Sequence, residues 1–240
     1  MTKLEQLNLL KDRKAVLIAR GKDNGKIVTK NQQKNQEIRK GLIEMVGDKS
    51  NVLIALVGRS GAGKSVSAKY LEDIYGLKYL RSYTTREKRA DNIDDHTYVN
   101  LAQYSRITGK VAENYYTGNW YCATESQCDD ADVYVVDVPG LKQLKENYHK
   151  KHILALCIDT PSSTRIQRMK DRGDTSDAID ERMKKDESAF EEAYDLCDAV
   201  INNEGSLSMT CLNIMAELER FKRQIRDTEG ATTKEVDQNN

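Results

Sequence analysis

Val52-Leu53-Ile54-Ala55-Leu56-Val57-Gly58-Arg59-Ser60-Gly61-Ala62-Gly63-Lys64-Ser65 is an apolar run that ends in Gly-x-x-x-x-Gly-Lys-Ser. In that pattern backbone N–H groups surround phosphate oxygens, the lysine adds positive charge and the serine hydroxyl reaches magnesium. The glycines are needed because a Cβ would obstruct both the turn and the approach of an anion to the main chain. The residues after the loop, Ser65-Val66-Ser67-Ala68-Lys69-Tyr70-Leu71, read as a helix whose positive end points at the same phosphates. Strand, loop and helix arrive in the order a nucleotide phosphate site requires. Gly58, Ser60, Gly61, Ala62, Gly63, Lys64, Ser65 and Val66 are therefore its expected lining.

Outward from this loop, further apolar runs at Val133–Val138, His152–Ile158 and Ala199–Asn202 read as strands, and Lys78–Tyr83 as a short one. Helical segments lie between them. Strands alternating with helices predict an α/β fold with a parallel sheet covered on both faces. The stretch from Thr84 to Thr124 is rich in tyrosine and poor in apolar runs, which suits a small subdomain of short strands with one helix near Leu101–Ile107.

Before the loop, residues 1–50 read as a helical hairpin broken at Gly21-Lys22-Asp23-Asn24-Gly25, followed by a linker. Basic residues such as Lys11, Arg13, Lys14 and Arg20 outnumber acidic ones there. A solvated face is one reading of that bias, and an arm for a nucleic-acid or protein partner is the other. At the far end a helix is expected near Leu207–Phe221, with a disordered tail over 227–240.

Composition narrows the class. The 240 residues carry 38 basic and 38 acidic side chains, so no global field draws the chain to nucleic acid or membrane. Cys122, Cys128, Cys157, Cys197 and Cys211 are odd in number and scattered, against both a disulfide framework and a zinc site. His96, His149 and His152 are too dispersed for a metal cluster. With no apolar segment of membrane-spanning length and no signal-peptide core, a soluble cytoplasmic protein is expected.

Asp137 follows the apolar run Val133–Val136, where a carboxylate beside the phosphate-loop strand would meet magnesium; a strand-end aspartate that caps the next helix is the alternative. Asp137-Val138-Pro139-Gly140 also fits the Asp-x-x-Gly of GTPases, but no Asn-Lys-x-Asp follows to read a guanine base. Arg86 and Arg89 past one strand end, with Arg165, Arg168 and Arg172 on or beside one helix, place cations on both sides of a transfer between two anions. That distribution points to a phosphoryl-transfer enzyme.

From about Val52 to about Glu219 the sequence resembles the guanylate kinase family of nucleoside monophosphate kinases. Besides the loop, the resemblance is carried by Ser82-Tyr83-Thr84-Thr85-Arg86-Glu87-Lys88-Arg89, by Gly118-Asn119-Trp120-Tyr121, and by Thr160-Pro161-Ser162-Ser163 with Arg168, Asp171-Arg172-Gly173 and Glu181-Arg182-Met183. It implies a P-loop kinase domain over residues 51–226, with an acceptor subdomain at about 83–125 and a lid at about 163–190. It implies ATP and Mg2+ as cofactors and GMP or dGMP as acceptor. By the resemblance, Lys64, Arg168, Arg172 and Arg182 contact the transferring phosphate, and Asn203 lies near the adenine of ATP. Ser82, Arg86, Arg89, Tyr98, Glu113, Tyr121 and Asp137 hold the acceptor, and Ser65 with Asp137 hold the metal. Departures cluster in the acceptor region: Lys88 stands where the family has proline, and Cys122-Ala123-Thr124 replaces Gly-Ser or Gly-Thr. Either His96 or Tyr98 takes the place of the family's phosphate-binding tyrosine. Other readings are a kinase for another nucleoside monophosphate or a phosphorylated sugar, and a binding module of the same fold without catalysis.

Overall fold

The computed structural model describes residues 51–88, 96–190 and 192–237, with side chains described except at 187–189 and 230–237. The expected hairpin at 1–50 and Arg89 lie outside the described residues. The fold below is that of the compact unit Asp48–Asp73 with Leu77–Asn240.

Strand β1 is Val52–Val57, and all six of its residues are buried, as an uninterrupted apolar run requires when both faces of a sheet are covered. It is the middle strand of a five-stranded parallel sheet. Its neighbours are β7 (Val133–Val135) and β8 (His152–Asp159), and the edges are β2 (Tyr79–Leu80) beside β7 and β9 (Ala199–Asn202) beside β8. Successive residues of β1 point to opposite faces. Leu53, Ala55 and Val57 join Leu141 and Leu144 of helix α4 (Val138–Asn147) and Ala193 of α7 (Ala193–Leu196) in one core. On the other face α1 (Lys64–Tyr75) buries Ala68 and Leu71, and α8 (Leu207–Asp237) buries Cys211, Ile214 and Leu218. The α/β architecture expected from the sequence is present.

A second sheet holds β4 (Thr97–Tyr98), β3 (Tyr83–Thr84), β6 (Asn119–Thr124) and β5 (Lys110–Tyr116) in that order, with α2 (Leu101–Tyr104) beside it and α3 (Glu125–Asp130) leading back to the first sheet. The run read as one strand at Lys78–Tyr83 is therefore two: Tyr79–Leu80 pairs with β7 and Tyr83–Thr84 with β4 and β6. Arg81 and Ser82 make the crossing between sheets, which no apolar pattern marks.

Helices α5 (Ser162–Asp171) and α6 (Ser176–Phe190) follow β8. The final helix continues to Asp237, well past the boundary expected near Phe221, and takes in most of the tail expected to be disordered. Among the residues whose side chains are described, the last buried one in this helix is Leu218, and residues 221–237 contain no proline to stop it, so backbone pairing runs on past Leu218. No helix among the described residues is long and apolar enough to cross a membrane.

Candidate active site

A cavity of about 490 Å³ opens at the carboxyl ends of β1 and β7 and is walled on its far side by the second sheet. Ligands in open α/β sheets bind at this end because the strand order diverges there and loops frame a crevice. The phosphate loop supplies one wall through Gly58, Ser60, Gly61, Gly63, Lys64, Ser65 and Val66. Gly61 and Gly63 have φ of 77° and 94°, a left-handed geometry that favours glycine. Close packing adds to that demand, since a Cβ on Gly61 would sit 2.7 Å from the Arg165 carbonyl oxygen and one on Gly63 2.6 Å from Asn203 Nδ2.

Lys64 Nζ donates to the carbonyls of Gly58 and Arg59, the latter at 3.1 Å. Burial pushes its ammonium down to about 8, against the pull of the Asp186 and Asp137 carboxylates. A lysine held back on its own loop is poised to turn toward an arriving phosphate. Ala62 is buried, and its carbonyl accepts from Asn203 Nδ2 at 2.6 Å and from Thr160 Oγ1 at 3.1 Å.

Arg168, Arg172 and Arg182 all reach the same cavity. Arg168 Nη1 lies 3.4 Å from the Gly61 and Ala62 carbonyls, so α5 is tied to the loop through this residue. Arg172 is paired with Asp174 at the end of α5. Arg165, 4% exposed, donates from Nε to the Thr160 carbonyl at 3.2 Å and lies 3.4 Å from Asp186 Oδ2.

Across the cavity stand Ser82, Arg86, Tyr121 and Asp137, together with His96. Ser82 Oγ and His96 Nδ1 are 2.9 Å apart, and the His96 ring meets Tyr121 edge-on at 5.4 Å. Tyr98 stands behind this wall, its hydroxyl 3.4 Å from Arg86 Nη2. The position expected of Tyr98 at the cavity surface thus belongs to His96, and Tyr98 braces the arginine. Asp137 is the N-cap of α4: Oδ1 accepts from the Gly140 N–H at 2.8 Å, while Oδ2 accepts from Asn114 Nδ2. The capping alternative is therefore realised on one oxygen, and the other faces the cavity wall.

Two expected roles are corrected. Glu113 borders the cavity, but its carboxylate accepts from Tyr104 Oη at 2.9 Å and from Lys110 Nζ. It stands opposite Cys122 in the β5–β6 register, whereas Asn114 stands opposite Tyr121, so alternation puts Glu113 and Asn114 on opposite faces. The two-residue turn at Thr117 and Gly118 sets that phase, since the pairs from Tyr116–Asn119 to Ala112–Ala123 follow it without a break, and Gln143 of α4 holds it by clamping the Glu113 backbone N–H and C=O, each at 2.9 Å. The second correction concerns Asn203, which is 3% exposed and spends its amide on the Ala62 carbonyl and the Thr210 hydroxyl. It braces the loop from beneath.

Sequence reasoning named His96 only as the alternative to Tyr98, and it missed Asn114 and Asp186 of α6, which reaches the loop itself. Asn114 adjoins the residue singled out, and only strand phase distinguishes the two. Asp186 has no local signature.

Ser65 Oγ and the Asp137 carboxylate are hard oxygen donors on one cavity, a set that fits Mg2+ with substrate oxygens and water completing its shell. Among the described residues no cluster of three His, Cys, Asp or Glu forms a metal cage of its own.

No family model matches the chain. The guanylate kinase of Deinococcus radiodurans is 25% identical over 185 residues, covering 70% of this chain and 76% of that protein. The guanylate kinase of Clostridium acetobutylicum is 28% identical over 201 residues, covering 75% and 94%. Among solved structures, guanylate kinase from Anaplasma phagocytophilum superposes with a TM-score of 0.50 at 18% identity, over 72% of this chain and 87% of that one.

Proposed function

We propose that this guanylate-kinase-like P-loop chain is an ATP-dependent nucleoside monophosphate kinase with GMP or dGMP as acceptor. One observation carries the reading: a single cavity joins the phosphate loop and the arginines of α5 and α6 to an opposing wall that bears Ser82, Arg86, His96, Tyr121 and Asp137. Donor-type and acceptor-type anion sites thus face each other across one space. Similarity to two guanylate kinases supports a guanine nucleotide as the acceptor.

Transfer between two bound nucleotides needs no protein nucleophile, so the protein's work is positioning and charge neutralisation. Lys64 would follow the charge that develops on the transferring phosphoryl group. Arg168, Arg172 and Arg182 would offset its equatorial oxygens, and Arg86 would hold the acceptor phosphate. Mg2+ at Ser65 and Asp137 would neutralise the donor's phosphates. The base would lie against Asn114, whose side-chain carbonyl can accept from N–H groups of the kind guanine presents. A coupled assay with ATP and a panel of ribo- and deoxyribonucleoside monophosphates tests the reading. Turnover highest with GMP or dGMP is expected, and absence of ADP release with every monophosphate overturns it.

A further inference from the structure

The carboxylate of Asp186 sits in the phosphate loop. Its Oδ2 accepts from the backbone N–H of Ser60 at 2.6 Å, and its Oδ1 lies 3.3 Å from the Ser60 hydroxyl. The buried Arg165 guanidinium reaches the same Oδ2 at 3.4 Å, and Asp186 leads the charges acting on Lys64. A loop N–H flanked by a buried guanidinium and the loop's own lysine is a cradle for an anion. In this structure the chain fills that cradle with its own carboxylate.

Which part of a donor the carboxylate displaces follows from the loop. The lysine of this motif serves the β- and γ-phosphates, and Lys64 Nζ is held at Gly58 and Arg59, immediately before Ser60. An anion seated on the Ser60 N–H therefore lies at the outer end of the phosphate chain. We propose that Asp186 is an internal stand-in for the terminal phosphate of the donor, and that it sets the selectivity of the donor site between nucleoside tri- and diphosphates. This rests on the kinase reading above.

A triphosphate must evict Asp186 from Ser60, because two anions cannot share one N–H at hydrogen-bond distance. A diphosphate leaves the outer position open and Asp186 in place. The cost of breaking the carboxylate's contacts then falls on the triphosphate alone. While the donor site is empty, the same carboxylate lies against the buried Arg165 guanidinium. Asp186 lies one turn beyond Arg182 on α6, so the helix that carries this anion also carries a cation of the cavity.

The test is equilibrium binding of ADP and of a non-hydrolysable ATP analogue, each with Mg2+ and without acceptor, to the full chain. Asp186→Asn keeps the size and an acceptor for the Ser60 N–H but removes the charge; Asp186→Ala removes both. Both variants are expected to bind the triphosphate about tenfold more tightly or better, with ADP affinity changed by less than about twofold. Equal changes for the two nucleotides, no change, or weaker triphosphate binding overturns the proposal. Should neither variant fold, crystals of the unaltered chain decide. Asp186 on Ser60 with ADP but released with the triphosphate analogue supports the inference, and retention in both complexes overturns it. A chain that binds neither nucleotide contradicts the kinase reading and this inference together, whereas intact binding without the tri-versus-diphosphate split contradicts this inference alone.

Discussion

Tyr104 Oη donates to Glu113 Oε1 at 2.9 Å, and this contact engages the Glu113 carboxylate on the strand face opposite the one that carries Asn114. Which of the two side chains an acceptor would meet is therefore decided by strand phase. Glu113→Gln can still accept from Tyr104 and Lys110, and it is expected to leave acceptor preference unchanged within about threefold. Asn114→Ala removes the partner of Asp137 Oδ2, and it is expected to raise the acceptor KM by about tenfold or more with little change in the ATP KM. Steady-state kinetics with each substrate varied in turn checks both. A loss of discrimination in Glu113→Gln would restore that carboxylate to the site.

Lys64→Ala is expected to lower kcat by at least ~100-fold, the size associated with losing one preorganised charge contact at a reacting centre. Circular dichroism should show the fold retained, because the Lys64 ammonium bonds only carbonyls of its own loop among the contacts described above. Near-normal turnover would contradict its role.

The depressed Lys64 ammonium makes donor binding pH-dependent. In the free protein it loses its proton near pH 8 rather than 10.5. Donor phosphates favour the charged form, so binding above pH 8 must take up a proton, and ATP affinity should fall as pH rises through about 8. Asp186, Asp137, Arg165 and Cys157 act on the same group. Calorimetry in buffers of different ionisation enthalpy should detect the proton uptake above pH 8, and Lys64→Met should abolish it. Flat affinity between pH 7 and 9.5 would overturn the expectation.

Asn203 joins the start of α8 to the phosphate loop, with Nδ2 2.6 Å from the Ala62 carbonyl and Oδ1 2.6 Å from Thr210 Oγ1. Asn203→Ala leaves both partners buried, and is expected to cost about 1–3 kcal/mol of stability in denaturant unfolding. Asn203→Asp should cost more, since it sets a carboxylate oxygen against the Ala62 carbonyl. Unchanged stability in both variants would show that the amide is not a brace.

The sequence by itself determined the sheet and the donor end of the site. Val52–Val57 is apolar throughout and followed at once by the phosphate loop, and both features are local: burial on two faces needs an unbroken apolar strand, and an anion cradle needs glycines and a lysine at fixed spacing. Val133–Val136 with Asp137 was legible for the same reason, and its adjacency to β1 is realised in parallel register. Tertiary structure alone decided which residue of β5 joins the wall formed by Ser82, Arg86 and Tyr121, and what occupies the loop. Whether Glu113 or Asn114 faces the cavity depends on the pairing of β5 with β6 and on a clamp from Gln143, thirty residues away. Asn203 and Asp186 reach the loop from 141 and 126 residues away. Such contacts leave no periodicity behind, because a hydrogen bond between distant segments constrains one side chain at each end and nothing between them.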